Sequence, residues 1–301
     1  MACSNQPCVS PLALFLVTWA VAAGDAASAV DAPPAHRTGA FRASFSERSS
    51  LSKIADIHKR MLGRPSPKPL QDYDLTKESF EIVVPGDYTE KTPHGLFVWV
   101  SAGDKGDMPA NYADVLARNK LIWIGANGSG NARDPIARFG LSLDAVHNMK
   151  ALYKLDANRI YISGVSGGGR ITSRMCVVYP DVFAGGFPIV GCDHYKSLPV
   201  PGEKDKAWAA RYMQPTGALW KQVLVTNRFV FLTGETDENR AQTKATYEAW
   251  KRDGIRHAHY LEVPAMGHTL PSPQWFEKGI VLLDEPLKAA AEKGKKTPTS
   301  K

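Results

Sequence analysis

The chain has 301 residues, of which 44% are hydrophobic and 22% charged, and a formal net charge of +7. This is ordinary globular composition, and it excludes a collagenous, low-complexity or disulfide-scaffold chain. No zinc-finger, RNP or helix-turn-helix spacing accompanies the basic charge, so nucleic acid is not an expected partner.

The chain opens on an apolar run, residues 11–24 (PLALFLVTWAVAAG), followed by Ala27-Ser28-Ala29. A short apolar stretch ending in a small-x-small step predicts a secretory signal over residues 1–29, cleaved after Ala29. The run is short for a membrane span. The expected product is therefore secreted or periplasmic, with no stable membrane insertion after processing. Cys3 and Cys8 would leave with the signal. Cys176 and Cys192 would stay, either as a disulfide or as two separate buried thiols.

Residues 30–72 read as a lead-in rich in Pro, Ser and Arg, with one short helix over 51–62. Residues 73–291 then alternate between apolar runs and amphipathic stretches. Strands are predicted at 80–84, 96–100 (LFVWV), 121–125 (LIWIG), 159–163, 187–190, 229–232 and 260–263. Helices are predicted at 135–153, 169–178, 239–253 with a stop at Gly254, and 275–291. Residues 200–222 read as an irregular insertion, and 292–301 as a disordered basic tail. Continuous apolar strands alternating with helices imply an α/β domain, a mostly parallel sheet covered by helices on both faces.

One turn in this pattern carries chemistry. Gly164-Val165-Ser166-Gly167-Gly168 is a G-x-S-x-G step between a predicted strand and a predicted helix. A Gly/Ser turn is also plain connection chemistry. In parallel sheets, however, reactive groups collect at the carboxyl ends of strands. Asp237 follows the 229–232 strand and His268 follows the 260–263 strand. Taken singly, Asp237 reads as a helix cap and His268 as a surface loop residue. Together they give the order Ser, Asp, His. His268 would act as general base for the Ser166 hydroxyl, and Asp237 would fix the imidazole tautomer.

Glu235 and Asp193 compete with Asp237 for the acid role. The backbone N–H groups of Gly167 and Ala102 are the expected oxyanion donors, with Ser101 and Gly103 as near neighbours. Loops 127–133 and 192–195 should border the site, and Trp99 is expected in the core.

The strand order, the G-x-S-x-G elbow, the Gly234-to-Asp237 step and Gly267-His268 resemble the α/β-hydrolase superfamily. More narrowly, they resemble exported polyhydroxybutyrate depolymerases and feruloyl esterases, over residues 80–275. That resemblance implies cleavage of a small-molecule or oligomeric carboxylic ester through an acyl-enzyme, with no cofactor and no metal. It supports Ser166, Asp237 and His268 as the catalytic residues. Such esterases usually open the oxyanion loop with His-Gly, where this chain has Ser101-Ala102. No separate polymer-binding module is expected. A peptidase or acyltransferase on the same fold, and a non-catalytic binding protein that kept the fold, are the competing readings.

Overall fold

The computed structural model describes residues 35–296. The expected signal sequence and its Ala29 cleavage point lie outside the described residues.

In chain order the first elements are β1 (Gly39–Ala43), α1 (Ile54–Leu62), β2 (Phe80–Val84), β3 (His94–Val100), α2 (Ala113–Arg118) and β4 (Leu121–Ala126). There follow α3 (Pro135–Leu152), β5 (Leu155–Val165), α4 (Gly167–Val178), β6 (Gly185–Ile189), β7 (Leu198–Pro199) and β8 (Ala207–Trp208). The chain closes with α5 (Gly217–Val225), β9 (Arg228–Gly234), α6 (Arg240–Arg252), β10 (His257–Val263) and α7 (Pro273–Lys296). Eight strands form one sheet in the order β1-β2-β4-β3-β5-β6-β9-β10. The first two are antiparallel to their neighbours, and the other six are mutually parallel.

Burial explains which strands are continuous apolar runs. β3, β4 and β9 are buried at every position, because helices cover both faces of the sheet there. β10 lies at the edge and alternates between buried and part-exposed positions. Along β3 successive side chains serve opposite faces. Leu96, Val98 and Val100 join one core, with residues of α1, α3 and α4. Phe97 and Trp99 join the other, with Tyr112 and with Phe276 and Ile280 of α7. The Phe276 ring stacks on Tyr112 with centroids 4.0 Å apart, and burying a side chain of this kind stabilises by about 1.5–3 kcal/mol.

The predicted strands and long helices are all present. Three features differ from expectation. First, the lead-in is not separate from the sheet. Its residues 39–43 form β1, which pairs along its whole length with β2. Phe41, Ala43 and Phe45 alternate into the core, while Arg42 stays outside on Glu81. Asp144 of α3, fully buried, ties the segment down by accepting from the Ser49 N–H at 2.7 Å and from the Tyr73 hydroxyl.

Second, residues 200–222 are not wholly irregular. They hold β8, paired with β7, and the start of α5. Third, α7 runs to Lys296, beyond the expected stop at 291, and passes through Pro286. Of the two states expected for the cysteines, Cys176 and Cys192 take the second: both are free thiols, each fully buried. Burial pushes both thiols up, that of Cys192 to about 11. They behave as small core hydrophobes.

Candidate active site

β3 lies between β4 and β5, so the chain runs outward to one side after β3 and to the other at β5. A crevice at the carboxyl ends of the strands opens where the winding reverses. Two of the predicted segments meet there: the 101–103 loop leaving β3, and Ser166 leaving β5.

Ser166 sits between β5 and α4 with φ 56° and ψ −116°. A side chain rarely adopts a positive φ, and the strain persists only where surrounding contacts fix it. Here the Ser166 N–H donates to the Ile189 carbonyl at 2.9 Å, and the Ser166 carbonyl accepts from the Arg170 N–H at 3.1 Å. The turn must also fit tightly against β3. A Cβ at Gly168 would come within 1.9 Å of the Val100 carbonyl oxygen, so only glycine allows that approach.

His268 Nε2 lies 2.8 Å from Ser166 Oγ, and His268 Nδ1 lies 2.8 Å from Asp237 Oδ1. A carboxylate can only accept, so Nδ1 carries the proton and Nε2 is left as an acceptor facing the serine. Asp237 is 5% exposed. Its Oδ2 accepts from the Thr233 hydroxyl at 2.6 Å, and Oδ1 also accepts from the Asn239 N–H at 3.2 Å. Asp237 is not the helix cap: Asn239 stands at that position, and the Asp237 carboxylate closes a turn two residues ahead of α6 while it meets His268.

The loops bearing the acid and the histidine are laced together. Thr236 N–H and hydroxyl both donate to the Met266 carbonyl. A Cβ at Gly234 would come within 2.0 Å of that same carbonyl oxygen.

The two competing acids are occupied elsewhere. Glu235 accepts from the Ala265 N–H at 2.8 Å. Asp193, 2% exposed, accepts from Arg170 at 2.9 Å and from Arg174 Nε at 2.7 Å. Arg170 also donates to Asn239 at 2.9 Å, and Asn239 Nδ2 donates to the Val190 carbonyl at 3.0 Å. Asp193 thus reaches the triad only through neighbours.

No protein-family profile matches the chain. A stretch of 46 residues is 50% identical to a poly(3-hydroxyalkanoate) depolymerase C from Paucimonas lemoignei, covering 15% of this chain and 11% of that one. Among solved structures, an S-formylglutathione hydrolase from Staphylococcus aureus aligns with TM-score 0.51 and 13% identity, over 83% of this chain and 96% of that one. A Bacteroides ovatus chain of dipeptidyl aminopeptidase IV type aligns with TM-score 0.51 and 15% identity, over 72% of this chain. The chain spans 35% of that structure's length.

This chain is an α/β-hydrolase by fold.

The 101–103 loop, the expected source of an oxyanion donor, is held by its neighbours. The Ser101 carbonyl accepts from Arg138 Nη2 at 2.8 Å, and the Ala102 carbonyl accepts from the Asn131 N–H at 2.9 Å. The Gly103 N–H is spent on Ser101 Oγ at 3.1 Å. Among the described residues the Ala102 N–H has no acceptor, which favours it over Gly103 as a free donor. Gly167 opens α4, so its N–H belongs to the positive end of a helix.

A cavity of about 470 Å³ is lined by Trp99, Ser101, Pro109, Val165 and Leu270, with Asp104, Lys105 and Asp107 among the rest. Trp99 is both core, stacked on Trp123 at 4.9 Å, and part of this wall. A larger cavity of about 640 Å³ is lined by Glu235, Asp237, Glu238 and Arg240, on the acid's side of His268. The first is walled by the loop leaving β3 and by Val165, the residue before Ser166. Of the two expected border loops, 127–133 reaches the site through Asn131, and 192–195 is drawn into the Arg170–Asp193 network. Sequence reasoning missed Arg138, Arg170, Asn239 and Thr233. Polar residues scattered on buried helix faces and in turns have no spacing to mark them.

Proposed function

We propose that this chain is an exported serine hydrolase that cleaves carboxylic esters through an acyl-enzyme. The observation that carries the reading is the continuous relay Ser166 Oγ, His268, Asp237, with both links at 2.8 Å, on a serine held at φ 56°. The hydroxyl attacks the ester carbonyl while His268 Nε2 takes its proton. The resulting oxyanion is met by the N–H groups of Gly167 and Ala102, and one such donor is worth about 10²–10³ in turnover. His268 then returns the proton to the departing alcohol, and the ester becomes an acyl-Ser166. Water attacks the acyl carbon with His268 again as base, releasing the acid and restoring the hydroxyl. Asp237 stabilises the imidazolium in both halves.

The fold is shared by ester hydrolases and peptidases, so fold alone does not choose between them. What favours an ester is the stretch that is 50% identical to a poly(3-hydroxyalkanoate) depolymerase. The wall of Trp99, Pro109, Val165 and Leu270 suits an apolar acyl or alcohol group. Export rests on the apolar run ahead of Ala27-Ser28-Ala29.

The discriminating experiment is a panel of purified-protein assays, with acyl esters of graded chain length beside aminoacyl amides. Turnover of esters with none of the amides is expected. Turnover of amides alone would replace this reading with a peptidase.

A further inference from the structure

Arg138 is an unusual residue for its surroundings. It lies in the first turns of α3 and is only 4% exposed. Among the described residues no carboxylate lies within 4 Å of its guanidinium, and its Nε has no hydrogen-bond partner. A buried charge normally has a counter-charge, because desolvation strongly disfavours an unpaired ion. Arg170 and Arg174 obey that rule through Asp193. Arg138 does not.

Its contacts all lead to one place. Nη2 donates to the Ser101 carbonyl at 2.8 Å. A trans peptide sets its N–H antiparallel to its carbonyl. Holding the Ser101 carbonyl toward Arg138 therefore aims the Ala102 N–H the opposite way. Nη1 donates to Asn131 Oδ1 at 3.5 Å, the outer limit of such a bond. Asn131 in turn covers Gly167, where an added Cβ would lie 1.9 Å from Oδ1. One guanidinium thus touches the peptide of one oxyanion donor and the side chain packed on the other. Burial, with Arg174 nearby, pushes the group down to about 10, which still leaves it charged at neutral pH.

We infer that Arg138 is a positioning residue that sets the Ala102 and Gly167 donors for the transient oxyanion, acting on them through the Ser101 carbonyl and the Asn131 side chain. The inference rests on the esterase reading of Ser166.

Its test compares wild-type protein with R138M and R138Q, in ester turnover and in affinity for an aryl boronic acid. A boronate bonded to Ser166 Oγ is tetrahedral and anionic, and its binding needs no turnover. R138M should lower kcat by about 10²-fold with KM within about threefold, because the interaction exists only in the transition state. Boronate affinity should fall in parallel with kcat. R138K keeps the charge but cannot bridge Ser101 and Asn131 together, and should recover about tenfold of the loss. A residue that merely stapled the loop would raise KM and lower the melting temperature without this parallel.

If R138M does not fold, R138Q reads the same quantities. Boronate affinity and kcat within about threefold of wild type in either folded variant would overturn the inference. A wild-type protein that neither turns over esters nor binds boronate would instead sink the esterase reading, and this inference with it.

Discussion

In the proposed mechanism Ser166, His268 and Asp237 would divide the chemistry unevenly, and substitutions should expose the division. Asp237 holds the imidazole in the tautomer that faces Ser166. Asp237→Asn should therefore cut kcat by about 10³- to 10⁴-fold through lost charge and a wrong tautomer. Asp193→Asn should behave differently. It leaves the relay intact but strips the counter-charge from Arg170 and Arg174. Breaking a buried pair costs about 3–5 kcal/mol, and the low end is expected because Arg170 is partly exposed. Steady-state kinetics beside chemical denaturation check both. A steep kinetic loss in Asp193→Asn with none in Asp237→Asn would move the acid to the strand before.

The three relay residues were legible in the sequence because each follows an apolar strand run, and the glycines flanking Ser166 mark its turn. Arg138 was not, and Asn131 was legible only as part of a loop at the border of the site. Their role depends on two loops from different strands lying side by side, and no local pattern encodes that.

Elements were legible in proportion to their burial. β3, β4 and β9 are apolar at nearly every position because both their faces are covered. β1 was missed because half its residues face outward and it sits among Ser and Arg. α2, at six residues, is too short to show a period. β1 nevertheless belongs to the sheet, and Asp144 is one of several ties on the segment after it, beside Asn148 on the Glu47 carbonyl and Arg60 on the Val178 carbonyl. Asp144→Ala would leave the Ser49 N–H and the Tyr73 hydroxyl without their acceptor. A loss of about 2–3 kcal/mol is expected from two orphaned groups, measured as a shift of the denaturation midpoint. Proteolysis should then begin ahead of β2. At the end of α6, Gly254 takes φ 88° to stop the helix. Gly254→Ala should cost about 1 kcal/mol by the same measurement.

Across the whole molecule the titrating groups make acid sensitivity predictable. His194, His257 and His259 are all held below the ordinary histidine value, chiefly by burial, His194 down to about 4. In the unfolded chain each takes a proton near 6.5, while the fold keeps it neutral until lower pH. The unfolded state therefore binds more protons over that window. Stability should be full above about pH 6.5 and fall as pH drops toward 4. His194→Asn should flatten that slope across the window, down to its lower end near pH 4, read as melting temperature against pH. An unchanged slope would mean that His194 is not kept neutral.

Export is a claim about the chain as a whole as well. Protein recovered from the medium or periplasm should begin at Val30 by N-terminal sequencing, and full-length cytosolic protein would refute it.

The central claim is that Ser166 is an activated nucleophile. The most direct measurement is reaction of the folded protein with a fluorophosphonate, followed by peptide mass mapping. One adduct per chain is expected, on the peptide containing Ser166, absent from Ser166→Ala and strongly slowed in Asp237→Asn. A folded wild-type protein that takes up no adduct, or takes it up on another residue, would contradict the account.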